Sequence, residues 1–65
     1  MKMTDEEIIR NAEIELDNFV SDSAFLSASA QSYRNADLEN MMNGMRLLGY
    51  TVSRSGDGHF HIRKN

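Results

Sequence analysis

The hydrophobic period of this sequence changes once, at Gly49. Before Gly49, apolar residues recur every three or four positions, which is the period of helices that bury one face. After Gly49, apolar and polar residues alternate, which is the period of strands with one buried face. Helices that precede strands in this way are typical of an α+β domain.

The core of this domain must be small. The chain has 65 residues and no cysteine, so no disulfide can reinforce a fold that buries only about 60% of its unfolded surface. No repeat or linker divides the sequence, and we expect one domain over residues 1–65. No apolar run reaches the roughly 18 residues of a membrane span. The acidic start, MKMTDEE, lacks the apolar segment of a signal peptide, so we expect a cytoplasmic protein.

Local signals predict three helices before Gly49. Thr4 and Glu7 match a capping box, in which the side chain of each residue accepts the backbone N–H of the other, so the first helix begins there. Ser21-Asp22-Ser23 is a polar interruption typical of a turn, and Arg34–Asp37 is a second one. Gly49 follows the last apolar position, as glycine does where a helix stops. We expect helices over residues 5–20, 23–33 and 36–48.

A β-hairpin is predicted after the helices. Ser55-Gly56-Asp57-Gly58 contains two glycines that can adopt the positive φ of a tight turn. The alternation on either side predicts antiparallel strands over residues 50–54 and 59–63, with one apolar face on the helices. The residues expected on the opposite side are Thr51, Ser53, His59, His61 and Arg63. The predicted core consists of Ile9, Leu16, Phe19, Leu26, Leu38, Met42, Met45, Leu48, Val52, Phe60 and Ile62.

Charge is unevenly distributed along the chain. Residues 1–40 carry nine acids and three bases, whereas residues 41–65 carry four bases and one acid. The basic end suits contact with phosphates, and the acidic end suits a basic protein partner. The net charge of −3 disfavours nucleic-acid binding by the molecule as a whole. Charge alone therefore leaves both classes of partner open.

The segment from Leu47 to Ile62 resembles the end of a winged-helix domain. An apolar pair is followed by Gly49 and an aromatic residue, an Arg-bearing strand, a Gly/Asp turn and a return strand. The resemblance implies a DNA-binding transcription regulator whose third helix enters the major groove while the hairpin contacts the backbone. The nucleic-acid-binding residues that it implies are Asn35, Asn40, Asn43, Arg46, Arg54, His59, Arg63 and Lys64. Because each chain offers few contacts, specific binding would need a homodimer.

A shorter segment is similar to the core of HicA-type messenger-RNA interferase toxins. Gly49-Tyr50, then Arg54, then Gly58-His59 follow the helix, Gly-aromatic, strand and His order of that family. The resemblance implies a ribonuclease in which His59 is the general acid or base. Gly58 stands where the family has serine, and the sequence has no counterpart of the third strand and closing helix.

Residues for catalysis or metal binding are sparse. His59 and His61 are expected on one strand face, about 6 to 7 Å apart, which is a spacing that metal sites use. Two ligands are too few for a zinc site, so we expect no metal and no cofactor. No nucleophile, base and orienting group can be assembled from the spacing, so we expect no enzymatic activity.

The leading hypothesis is a small, non-enzymatic regulatory protein that binds nucleic acid through the third helix and the basic hairpin. The first alternative is a protein-binding accessory or inhibitor module that uses the first helix. Its candidate contact residues are Glu6, Glu13, Ile14 and Asp17. The second alternative is the HicA-like ribonuclease that depends on His59.

Overall fold

The computed structural model describes residues 2–65. Two helices are followed by two strands that form an antiparallel hairpin. The elements are α1, Asp5–Ser23; α2, Ala28–Leu47; β1, Tyr50–Arg54; and β2, Phe60–Lys64. The α+β class and the hairpin are confirmed, but the prediction of three helices in a winged-helix-like order is wrong.

The capping box at the start of α1 is confirmed. The Glu7 N–H donates to the Thr4 hydroxyl over 3.2 Å, and the Thr4 N–H donates to the Glu7 carboxylate over 3.4 Å. The predicted end at residue 20 is wrong, because α1 continues to Ser23. The Ser23 hydroxyl donates to the Phe19 carbonyl over 2.7 Å, so this serine is satisfied inside the helix and does not form a turn.

The predicted second and third helices form one continuous helix, α2. It begins after Ser27, whose hydroxyl accepts the Ala30 N–H. The expected turn at Arg34–Asp37 lies in its interior. Arg34 instead joins the two helices, because its guanidinium lies 3.8 Å from the centre of the Phe19 ring and its Nε donates to the Ser23 hydroxyl. This tertiary contact outweighs the local preference for a turn.

The hairpin is paired as the alternation predicts. Val52 lies opposite Ile62, and Arg54 lies opposite Phe60. The second strand begins at Phe60 instead of residue 59, because the His59 carbonyl accepts the Ser55 N–H and closes the turn. Gly58 has a φ of 88°, a conformation that favours glycine.

The core is smaller than predicted. The buried residues are Leu16, Tyr50, Val52, Phe60 and Ile62, with Ile8, Ile9, Ala12, Val20, Leu38, Met41, Met42 and Met45 packed around them. Leu26 and Leu48 were predicted to be buried, but they are 38% and 66% exposed. Leu26 lies in the loop between the helices, and Leu48 is the cap that follows α2, so neither belongs to an inward helix face.

Both helices lie on one side of the hairpin. α1 packs mainly on β2, and α2 packs mainly on β1. Tyr50, Val52, Phe60 and Ile62 point toward them and are buried. The alternating residues of the strands point away from the helices. We call this side, formed by Thr51, Ser53, His61 and Arg63, the outer face. Within residues 2–65, neither helix has the length and apolarity needed to cross a membrane.

Candidate functional site

Two acids of α1 cover the edge of β2. A Glu13 carboxylate oxygen accepts the Ile62 N–H over 2.8 Å, and an Asp17 carboxylate oxygen accepts the Phe60 N–H over 3.1 Å. These N–H groups point away from β1, because their residues belong to the pairs that do not bond across the hairpin. Glu13 and Asp17 are one helical turn apart, so their spacing matches every second residue of the strand. Both carboxylates therefore hold the hairpin on α1.

His59 is also bound to α1. Its Nδ1 lies 3.1 Å from Oδ2 of Asp17. This hydrogen bond, together with the nearby Asp57 charge, raises the pKa of His59 above its usual value. The Phe60 N–H, and secondarily His59, lower the pKa of Asp17. The expectation that His59 and His61 form a pair on the outer side is wrong, because His59 turns to the β2 edge while His61 stays on the strand.

Two hairpin cations are held against aromatic rings. The Arg54 guanidinium lies 4.8 Å from the centre of the Phe60 ring, and its Nε donates to the Gly58 carbonyl. Lys64 Nζ lies 4.6 Å from the centre of the Tyr50 ring and donates to the Leu48 carbonyl over 3.4 Å. The partner rings are buried, so both cations belong to the helix side of the hairpin. They stabilise the hairpin and are not on the outer face.

The outer face is polar and basic. Its four residues, together with Ile62, line a shallow depression of about 370 Å³. His61 and Arg63 are exposed there, beside the hydroxyls of Thr51 and Ser53. None of the described residues that line it carries a carboxylate. The single acid of the hairpin, Asp57, lies in the turn, where it bonds the Ser55 hydroxyl and accepts the His59 N–H.

Those two hydrogen bonds favour the ionised form of the Asp57 carboxyl group. The bond with the Ser55 hydroxyl is the main cause of its lowered pKa, and the bond from the His59 N–H is the second. The carboxylate is therefore ionised and is used to close the turn. Closing the turn therefore accounts for the presence of Asp57, and no ligand is needed to explain it.

The predicted recognition residues of the helix lie elsewhere. Asn35, Asn40, Asn43 and Arg46 are all exposed on α2. Arg46 donates to the Asn43 side chain over 3.0 Å. Asn40 and Asn43 lie opposite the α2 residues that pack on the core, so they point away from the hairpin. The structure therefore does not bring the helix residues and the outer face into one surface.

The acidic patch proposed for protein binding is only partly free. Glu6 is exposed, and Ile14 is 51% exposed, whereas Glu13 and Asp17 are bonded to the backbone of β2. Sequence analysis missed this structural use of the two acids. Their spacing beside the apolar stripe of α1 is the signal that could have indicated it.

Comparison with known proteins adds no further evidence on the site. No protein-family model, no curated protein and no solved structure matches this chain. Residues 2–65 also contain no group of three or more His, Cys, Asp or Glu side chains placed to hold a metal ion. The geometry of the outer face is therefore the main indication of function.

Proposed function

We propose that this protein is a non-enzymatic binding module that holds the phosphate backbone of nucleic acid on the outer face. One observation supports the proposal most directly. Arg63 and His61 share that face with the hydroxyls of Thr51 and Ser53, and no carboxylate lines it within the part of the chain described. Arginine is a usual protein contact to phosphate, whereas the Thr51 and Ser53 hydroxyls already donate to the Asn65 side chain and to the His61 carbonyl.

The negative net charge of the chain is compatible with this proposal. Glu13 and Asp17 lie at the β2 edge, where they accept backbone N–H groups, and Asp57 is bonded within the turn. The local charge of the outer face comes from Arg63. Phosphate therefore meets a positive surface although the whole molecule is acidic.

The few donors on one chain limit the affinity. Arg63 and His61 contact one or two phosphates, so the logarithm of affinity should fall with that of salt concentration with a slope of about −1 to −2. No α2 residue joins this surface, so the binding should show little sequence preference. A backbone-binding module is therefore the form of nucleic-acid recognition that the geometry supports best.

Fluorescence anisotropy with labelled mixed-sequence RNA and DNA, single-stranded and duplex, tests the proposal. Arg63→Gln should weaken binding at low salt and reduce the magnitude of the salt slope by about 1. Arg10→Gln is the matched control, because Arg10 is exposed on α1 and the change removes the same charge. Asn40→Ala should leave binding unchanged, because Asn40 points away from the hairpin.

Three results would contradict the proposal. The first is no measurable binding of any of these nucleic acids at low salt. The second is an equal loss in Arg63→Gln and Arg10→Gln, which would mean that only net charge matters. The third is a loss in Asn40→Ala with none in Arg63→Gln, which would move the site to α2.

A further inference from the structure

We infer that the edge of β1 that faces away from β2 binds an extended polypeptide segment of another protein, with an acidic residue opposite Arg54, as a third strand of the sheet. The two edges of the hairpin differ. The β2 edge is covered by α1, because Glu13 and Asp17 accept the N–H groups of Ile62 and Phe60. Within residues 2–65, no side chain binds the backbone of the β1 edge in this way. The sheet therefore has one closed edge and one that another chain can extend.

The alternation of hydrogen bonds along the hairpin determines which groups form the β1 edge. The Ser55 N–H donates to the His59 carbonyl, so that pair is bonded. Bonded and non-bonded pairs alternate in antiparallel strands, so Tyr50, Val52 and Arg54 belong to non-bonded pairs. Their N–H and C=O groups point away from β2, and none of these groups has a hydrogen-bond partner among the described residues. The edge therefore presents donors and acceptors in the order that a neighbouring strand requires.

These unpaired groups carry a free-energy cost in the monomer. Tyr50 and Val52 are only 4% and 8% exposed, so little water reaches their N–H and C=O groups. A backbone group that has neither a protein partner nor water is unfavourable. A strand added to β1 supplies the missing donors and acceptors, and such main-chain hydrogen bonds provide the affinity when a peptide extends a sheet.

Arg54 indicates the charge of the partner. Its side chain lies on the helix side of the hairpin, where it lines a depression of about 200 Å³ together with Asn35 of α2. Arg54 is exposed and forms no ion pair within the part of the chain described. Asp17, which is near enough to interact with its charge, is bonded to the Phe60 N–H and to His59 instead. A strand residue opposite Arg54 also points to the helix side, so an Asp or Glu there would meet the guanidinium beside the Asn35 amide.

A second copy of the chain does not fit the β1 edge. Packed helices lie about 8–10 Å apart, whereas neighbouring strands lie about 4.8 Å apart. α1 packs mainly on β2 and α2 mainly on β1, so α2 extends about 2 Å beyond the β1 edge. Two copies paired through β1 would bring their α2 axes within about 2 Å of each other, which is a clash. A single strand brings no helix with it, and its helix-side residues would rest on α2.

The strand that fits this edge has a defined pattern. The residue opposite Val52 lies beside a buried aliphatic side chain and should be apolar. The residue opposite Arg54 should be acidic. In an antiparallel strand the acid comes two positions before the apolar residue, because Arg54 follows Val52 by two. This inference does not depend on the proposed function, because it uses the edge of β1 and not the outer face.

Nuclear magnetic resonance titration of the isotopically labelled full chain with a synthetic peptide tests the inference. The probe is Ser-Glu-Thr-Val-Thr-Val-Ser with both ends blocked, in which Glu would lie opposite Arg54 and the first Val opposite Val52. Titration to about 2 mM peptide detects binding as weak as millimolar. Hydrogen exchange of the Tyr50, Val52 and Arg54 amides should slow in the complex. The amides of Thr51 and Ser53 belong to bonded pairs, so their exchange should change little.

Variants separate the charge of Arg54 from its backbone N–H. Arg54→Gln should weaken peptide binding about fivefold, which is the upper end for an exposed ion pair. Arg10→Gln is the matched control, because it removes the same charge from an exposed position of α1, and it should leave the affinity unchanged. Arg54→Pro should weaken binding further, because it also removes an N–H that the hairpin does not use. The probe with Lys in place of Glu should bind the wild-type chain at least about fivefold more weakly.

Four results would overturn the inference. The first is no response to the peptide at about 2 mM. The second is a response in which exchange slows only at residues outside β1. The third is an equal loss of affinity in Arg54→Gln and Arg10→Gln, which would leave only net charge as the cause. The fourth is protection of the β1 edge amides that rises with protein concentration without peptide, which would assign the edge to a second copy.

Discussion

Replacement of Leu16 by alanine tests the core most directly. Leu16 is 2% exposed and lies on α1, in the cluster that joins this helix to the hairpin. The change removes three carbons at about 0.8 kcal/mol each. The cavity that remains adds to this loss, and buried leucine-to-alanine changes cost about 3–5 kcal/mol in total. We expect a loss in that range.

This loss is large for a chain of 65 residues. Domains of this size have a free energy of unfolding of about 3–10 kcal/mol, from roughly 0.05–0.15 kcal/mol per residue. A loss of 3 kcal/mol should lower Tm by on the order of 12 °C or more. Leu16→Ala is therefore expected to leave the protein partly unfolded at room temperature or close to it.

Leu47→Ala is the matched control. Leu47 is 89% exposed, so the same chemical change should alter stability by no more than about 0.5 kcal/mol. Urea unfolding followed by circular dichroism measures both variants, at a chain concentration at which the protein is monomeric. The reasoning is refuted if Leu16→Ala costs less than about 1 kcal/mol, or no more than Leu47→Ala does.

Two further predictions concern the hairpin. His59→Asn should destabilise the protein more at pH 5 than at pH 8. The pKa of His59 is higher in the folded protein than in the unfolded chain, so its contribution to stability is present below the unfolded-state pKa and is lost as the pH rises through the folded-state pKa. A difference in urea unfolding between wild type and variant that does not change with pH would contradict this. Gly49→Ala should lower the free energy of unfolding by about 1–2 kcal/mol, measured by thermal unfolding, because Gly49 has a φ of 97°. Gly56→Ala is the control and should cost no stability, because Gly56 does not have a positive φ. Equal effects of the two changes would show that φ is not the cause.

The parts of the fold that the sequence predicted correctly depend on neighbouring residues. Thr4 and Glu7 are three positions apart, and their capping box forms inside one turn of helix. Gly49 and Gly58 both have positive φ, as their places at a helix end and in a tight turn predict. Such signals need no knowledge of the tertiary structure.

The division of α2 into two helices failed because tertiary contacts decide that region. Asn35 and Asp37 are favourable in turns, and their local preference indicated one. In the structure, Arg34 is stacked on Phe19 and bonded to Ser23, so the segment is fixed in helical form from the neighbouring helix. Those partners are 11 and 15 positions away in the sequence, beyond the range of a local signal.

The role of the α1 acids was missed for a related reason. Their position beside the apolar stripe was visible, but the edge that they cover exists only after β2 has paired with β1. Their helical spacing made Glu13 and Asp17 candidates for a free acidic surface, whereas both accept backbone N–H groups of β2. The acidic excess of the first forty residues is therefore partly structural. The negative net charge of the chain is therefore a poor guide to phosphate binding, because the charge that a phosphate meets is that of the outer face.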